Sequence, residues 1–154
     1  MLRISKLADY GTVIMVFLAK LNGALANARL IAEETKLTVP TVSKILKQLT
    51  AAGLLISERG TYGGYRLQRL PSEISVAQII YALEEQRGLT ECSVHAGDCA
   101  IQGYCAIQGN WRLISQAVET ALDSVTLEAL SRPVLRPSEL ERIRELVSGE
   151  NRGQ

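Results

Sequence analysis

Cys92, Cys99 and Cys105 are all the cysteines of a 154-residue chain, and they fall within fourteen residues of one another. Thiolates this close can hold soft metal centres, close a disulfide or act as redox-active thiols. An odd count, with no signal-peptide pattern opening the chain, argues against a secreted disulfide framework. Structural zinc favours paired Cys-x-x-Cys or Cys/His bites on tight knuckles, and none is present. An iron-sulfur cluster is larger, accepts wider loops, and can be completed by three cysteines plus one donor from elsewhere. Gly97, Gly103 and Gly109, spread through the same stretch, suit a loop that wraps such a group. A cluster is therefore the leading reading, with a zinc staple or redox-active thiols as alternatives.

An enzyme built on these thiols lacks the other parts. The one histidine is His95, around which no nucleophile, base and orienting group assemble, and neither a phosphate-binding glycine loop nor a zinc-hydrolase motif occurs. Hydrophobic residues make up 47% and charged residues 21%, as in an ordinary soluble globular protein, and the longest apolar run is far short of a bilayer span. The expected location is the cytoplasm. The net charge of +1 hides an asymmetry: residues 1–70 carry ten Lys or Arg against four Asp or Glu, whereas residues 71–154 carry seven against twelve. The basic half is the candidate nucleic-acid face.

The elements that must position the loop follow from periodicity. Leu7, Tyr10, Val13, Ile14, Phe17, Leu18 and Leu21 recur at three- and four-residue steps, predicting an amphipathic helix that Asn22-Gly23 ends. Arg3, Lys6 and Asp9 lie at its exposed start. A short helix over 28–35 places Leu30, Ile31, Ala28 and Ala32 on one side. Thr38 is the N-cap, and Pro40 fits the first turn, of a third helix over 40–52. There Val42, Ile45, Leu46 and Leu49 form the buried stripe, leaving Thr41, Ser43, Lys44, Lys47 and Gln48 opposite, with Gly53 as the stop. Two short helices and a tight turn make a helix-turn-helix, and the polar face has hydroxyls, an amide and lysines suited to a major groove. Leu54-Leu55-Ile56 and Tyr65-Arg66-Leu67 then read as a hairpin. Its tip, with Arg59, Tyr62, Gly63, Gly64 and Arg66, suits phosphates or a minor groove.

The predicted fold class is mainly α with a small β-hairpin wing: a winged helix-turn-helix plus a long dimerisation helix. Its divisions are a DNA-binding domain over 1–70, a connecting helix and cysteine loop over 71–109, dimerisation and C-terminal helices over 110–148, and a loose tail over 149–154. Ser75-Val76-Ala77-Gln78 forms a capping box opening the connecting helix. Trp111, Ile114, Val118, Ala121, Leu122, Val125 and Leu130 predict one long helix over 110–130, whose apolar stripe seeks a second copy of the chain. A twofold dimer would set two recognition helices one DNA turn apart. Ser138 and Glu141 suit a capping box for the last helix.

This order of basic winged helix, connecting helix, three-cysteine loop and long helix resembles the iron-sulfur-sensing winged-helix transcription regulators, the family of IscR, the nitric-oxide sensor NsrR and the regulators of Suf cluster assembly. The resemblance is carried by Leu-Arg-Ile-Ser-Lys-Leu-Ala-Asp-Tyr at 2–10, Val-Pro-Thr-Val-Ser-Lys-Ile-Leu at 39–46, Gly-Gly-Tyr-Arg-Leu at 63–67, and the three cysteines. Leu-Thr-Glu-Cys at 89–92 and Gly-Asn-Trp at 109–111 are similar to the Suf regulators. It implies a homodimeric repressor that binds a palindromic double-stranded DNA operator, with Cys92, Cys99 and Cys105 holding a cluster in each subunit, 2Fe-2S ahead of 4Fe-4S. The chain departs from the pattern at Gln108, where IscR-like members have a ligating histidine three residues past the last cysteine. Asp9, placed like the aspartate that reaches the cluster across the dimer in NsrR-like members, is then preferred as fourth ligand over His95, with Glu91 and Asp98 further local choices.

Overall fold

The computed structural model describes residues 4–84, 89–90, 106–132 and 137–149. The three cysteines, Arg3, Glu91, His95, Asp98 and the tail beyond 149 lie outside these residues, as does most of the expected loop.

Helix α1 (Lys6–Lys20) opens on Ser5, whose hydroxyl accepts the Ala8 N–H at 3.2 Å, satisfying one of the donors that every helix start leaves unpaired. Helix α2 (Ala28–Thr35) is capped by Asn27, whose side-chain oxygen accepts the Leu30 N–H at 2.9 Å. Helix α3 (Val39–Ala51) buries Val42, Ile45, Leu46 and Leu49, the stripe its sequence spacing predicts. It ends in a paired cap: Leu54 N–H donates to Leu49 O and Gly53 N–H to Thr50 O, both at 3.0 Å. That geometry needs a left-handed residue, which Gly53 supplies at φ 73°.

Strands β1 (Leu55–Glu58) and β2 (Gly64–Leu67) form the antiparallel wing, in the register Leu55 to Leu67, Ile56 to Arg66, Ser57 to Tyr65 and Glu58 to Gly64. A short 3-10 turn (Pro71–Glu73) leads to α4 (Val76–Leu83), which carries the predicted capping box: Gln78 N–H donates to Ser75 Oγ at 3.2 Å and Ser75 N–H to Gln78 Oε1 at 3.3 Å. Helices α5 (Gln108–Asp123), α6 (Leu127–Leu130) and α7 (Pro137–Gly149) complete the described chain.

One core unites the wing, α1 to α4 and α6. Ile14, Met15, Ile31, Ile45, Leu46, Leu49, Ile74, Ile79 and Leu127 are fully buried within it. Burial is worth about 1.5–3 kcal/mol for each large aliphatic side chain, so this cluster dominates the stability of the fold.

Several local expectations are corrected. The predicted single helix over 110–130 is two, because Thr126 caps a new helix through the Ala129 N–H. Val76 N–H to Val125 O and Leu127 N–H to Ile74 O, both at 2.8 Å, then tie the break to the start of α4. Gly109 lies in the first turn of α5 rather than in a turn before it. Ser138 lies inside α7, which begins at Pro137, so it is not the cap. Leu30 and Val13 are substantially exposed, at the edges of their helices' apolar stripes. Among the described residues no helix is long and apolar enough to cross a membrane.

Candidate nucleic-acid interface

The helix pair α2 and α3 turns at Lys36, which takes a left-handed φ of 59°, and the outer side of α3 faces solvent. Pro40, Ser43, Lys44 and Lys47 are exposed on it and Thr41 is half-buried. Thr38 sits at the N-cap position but makes no side-chain cap bond. Its hydroxyl pairs instead with that of Thr41 at 2.8 Å, fixing Thr41 at the leading edge of the helix. Gln48, expected on the open face, is half-buried, and its Oε1 is buried without a hydrogen-bond partner.

The wing is fastened to the helix pair through the backbone. Tyr65 N–H donates to Ala26 O at 2.8 Å and Ala26 N–H to Tyr65 O at 3.1 Å, so the residue just before the α2 cap pairs with β2. The approach is too close for a side chain at Gly64, where a Cβ would lie 2.7 Å from the Ala26 carbonyl carbon and oxygen. This bridge is invisible to periodicity, since Ala26 belongs to no strand-like run; the Gly-Gly pair at 63–64 is the one trace of it in the sequence.

At the tip, Arg59 is exposed and Tyr62 is 92% exposed, free to lie against a nucleic-acid backbone or groove. Arg66 is less free than expected. Its Nε donates to Glu58 Oε1 at 3.0 Å across the hairpin. The pairing joins opposite charges at diagonal positions, and Glu58 and Arg66 at the two ends of the turn were its signal in the sequence. The described surface thus carries two lysines of α3 and the wing's Arg59 and Tyr62 on elements joined through the backbone. Lys6 is exposed at the start of α1.

A second junction concerns the cysteine loop. Ser5 N–H donates to Glu84 Oε1 at 2.9 Å, a contact spanning 79 residues. It holds the start of α1 against the end of α4, where the chain leaves for the cysteines. Asp9 is exposed one turn along α1, and Gln108 is the first residue of α5. Among the described residues no cluster of three or more His, Cys, Asp or Glu that could hold a metal is assembled.

A recognition helix with a cationic, hydroxyl-bearing face and a wing locked beside it define a winged-helix transcription regulator. Comparison with known proteins gives the family. The Rrf2 family, described as an iron-dependent transcriptional regulator, matches residues 4–133, and the chain belongs to it. IscR of Aliivibrio salmonicida, an HTH-type transcriptional regulator, is 33% identical over 100 residues, 65% of this chain and 59% of that protein. The chain thus matches about three fifths of the length of that relative. Among solved structures, CymR of B. subtilis, described as the global cysteine regulator, superposes with a TM-score of 0.67 at 35% identity, covering 85% of this chain and 97% of that one. T. potens IscR superposes with a TM-score of 0.64 at 30% identity, covering 84% and 85%. The regulators of this family bind DNA and are not enzymes, as the residues alone suggested.

Proposed function

We propose that the chain works in the cytoplasm as a homodimeric, iron-sulfur-cluster-dependent repressor. It binds a palindromic operator through paired α3 helices and wings, and controls genes of cluster assembly or of the redox and nitric-oxide response, as the Suf-type regulators do. The observation that carries the reading is the exposed face of α3 beside a locked wing, in a chain that also carries three cysteines within fourteen residues. Pro40, Thr41, Ser43, Lys44 and Lys47 meet the major groove. Arg3, Lys6, Arg59, Tyr62, Gly63 and Arg66 meet the backbone, while Gly64, expected among them, is buried against Ala26 and positions the wing.

Support for the dimer comes from α5. It has no buried residue, and Trp111, Leu113 and Ile114, 37%, 54% and 46% exposed, form an apolar face that a second copy would cover. The donor set fits a cluster: three thiolates suit iron, and the Ser5 to Glu84 bond holds the first turn of α1, which carries Asp9, at the end of α4. Cys92, Cys99 and Cys105 would hold the cluster, 2Fe-2S ahead of 4Fe-4S, with Asp9 ahead of His95 as the fourth donor. Such a group supplies iron sites sensitive to oxidants and nitric oxide. Gripping it at residues 92–105 would brace the junction between α4, which packs on α1 and α3, and α5, which packs on α4 and would carry the dimer face. By linkage, DNA alters retention of the cluster by the factor by which the cluster alters DNA affinity.

The test is anaerobic purification with iron, sulfide and zinc analysis, a visible spectrum, and operator titration of holo and apo protein. Iron and sulfide in similar amounts, with operator affinity falling on cluster loss, is the expected result. A colourless zinc protein overturns the cluster, and equal affinities leave a constitutive DNA binder. The likeness to CymR, a cysteine regulator, favours a second reading in which the same loop acts through its thiols with no cluster.

A further inference from the structure

Gln48 is the one amide on the outer flank of α3, seven residues beyond Thr41 and four beyond Lys44 along the same edge of the helix. Among the described residues, its Oε1 is the one buried side-chain nitrogen or oxygen atom that lacks a hydrogen-bond partner. A buried acceptor left unpaired is costly, and native proteins rarely tolerate one without a use. The residue as a whole is only half-buried, so rotation about its side-chain torsions can carry the amide from its dry position into the groove beside Lys44. Moving out regains a partner for the oxygen, which offsets the loss of rotamer freedom.

The chemistry of the groove then selects the base. Lysines of α3 favour the guanine acceptors O6 and N7, and hydroxyls pair with several edges. An amide matches adenine, donating to N7 and accepting from the N6 amino group at once. We infer that Gln48 is a specificity-determining residue that reads one adenine in each operator half-site, its amide folded against the protein in the free state and extended in the complex. The inference rests on the DNA-binding reading above and adds a base to it.

The test is selection of duplexes from a random pool by the full-length protein as purified, followed by titration of the enriched sequence, with thermal unfolding run on every variant. Wild-type protein should enrich an A·T pair at one position of each half-site. Gln48→Leu, of similar volume, should unfold no earlier than wild type, since it removes an unpaired oxygen. It should lose the preference at that position and bind the enriched site about 5- to 150-fold more weakly. Gln48→Glu should shift the position toward a pair whose cytosine offers its N4 amino group. Retention of the wild-type base preference by both variants overturns the assignment, as does uniform weakening on all sequences, which would mark Gln48 as scaffold. Gln48→Ala serves in the same selection if the leucine variant unfolds. A wild-type protein that enriches no sequence overturns the DNA-binding reading itself, a result distinct from failure of Gln48 alone.

Discussion

The winged-helix head and the α5 helix differ in where their apolar residues go. In the head, Ile45, Leu46 and Leu49 of α3 are wholly buried, and every helix from α1 to α4 contributes to one core. In α5 no residue is buried, although its apolar residues are as regularly spaced, and Leu122 near its end is the residue that reaches the core. An open groove of about 940 Å³ lies along it, lined by Leu113, Ile114 and Ala117 of α5 and Leu146 and Val147 of α7. Equal periodicity therefore has two meanings. In the head it fills a core shared with α6, while in α5 it leaves an apolar face open beside α7. Charge divides the same way, with the excess of Lys and Arg in the first 70 residues and the excess of Asp and Glu after them.

Truncating one residue in each region should separate the two meanings. Leu49→Ala, at a fully buried site, should cost about 2–5 kcal/mol of stability in urea unfolding. Ile114→Ala, at a 46% exposed site, should leave unfolding of the head nearly unchanged, within about 0.5 kcal/mol. It should instead weaken self-association at least about tenfold, because a twofold interface feels each substitution twice. Sedimentation over a range of concentrations checks the second effect. If Ile114→Ala unfolds as readily as Leu49→Ala while association is unchanged, the contrast between the regions is wrong and α5 belongs to the head.

The joint between helix pair and wing gives a smaller expected effect. Gly64→Ala places a Cβ where the Ala26 carbonyl already lies, so the backbone of β2 or of Ala26 must shift. Overpacking of this kind costs about 1–3 kcal/mol. The loss should fall on the wing, and hydrogen exchange at Tyr65 N–H should accelerate with that of Ala26 N–H, the two donors of the bridge. Unchanged exchange at both would mean that the wing is held by its packing and not by this bridge.

What could be read in the sequence was what depends on local spacing. The α3 stripe, the Ser75 to Gln78 capping box, the Gly53 stop and the hairpin all stand where three- and four-residue steps, cap chemistry and glycines place them. The misses are long-range. Ala26 pairs with β2 across 39 residues, Glu84 caps α1 across 79, and Val125 meets Val76 across 49. The last of these anchors a helix break that the Thr126 cap makes locally. The candidate site divides in the same manner: Lys44, Lys47 and Arg59 stand open as their positions suggest, but Gln48 turns inward at the edge of the helix stripe and Arg66 finds Glu58 across the hairpin, which helical spacing does not show.

The Glu58 to Arg66 pair offers the finest distinction between a wing that serves its own fold and one that serves DNA. Both side chains are partly exposed, at 44% and 37%, so the pair is screened by water and worth about 0.2–1 kcal/mol at most. Glu58→Gln keeps the shape and a hydrogen-bond acceptor while removing the negative charge. Stability should therefore change little in unfolding measurements. If the wing lies along phosphates, losing this carboxylate removes both a repulsion and a competitor for the guanidinium. DNA affinity should rise for every sequence alike, and the salt dependence should steepen by up to about one unit as Arg66 becomes free to neutralise a phosphate. Arg66→Ala should move both quantities the opposite way. A wing that packs only on its own protein would leave affinity and salt slope untouched in both variants, and the comparison would then assign DNA contact to α3 alone.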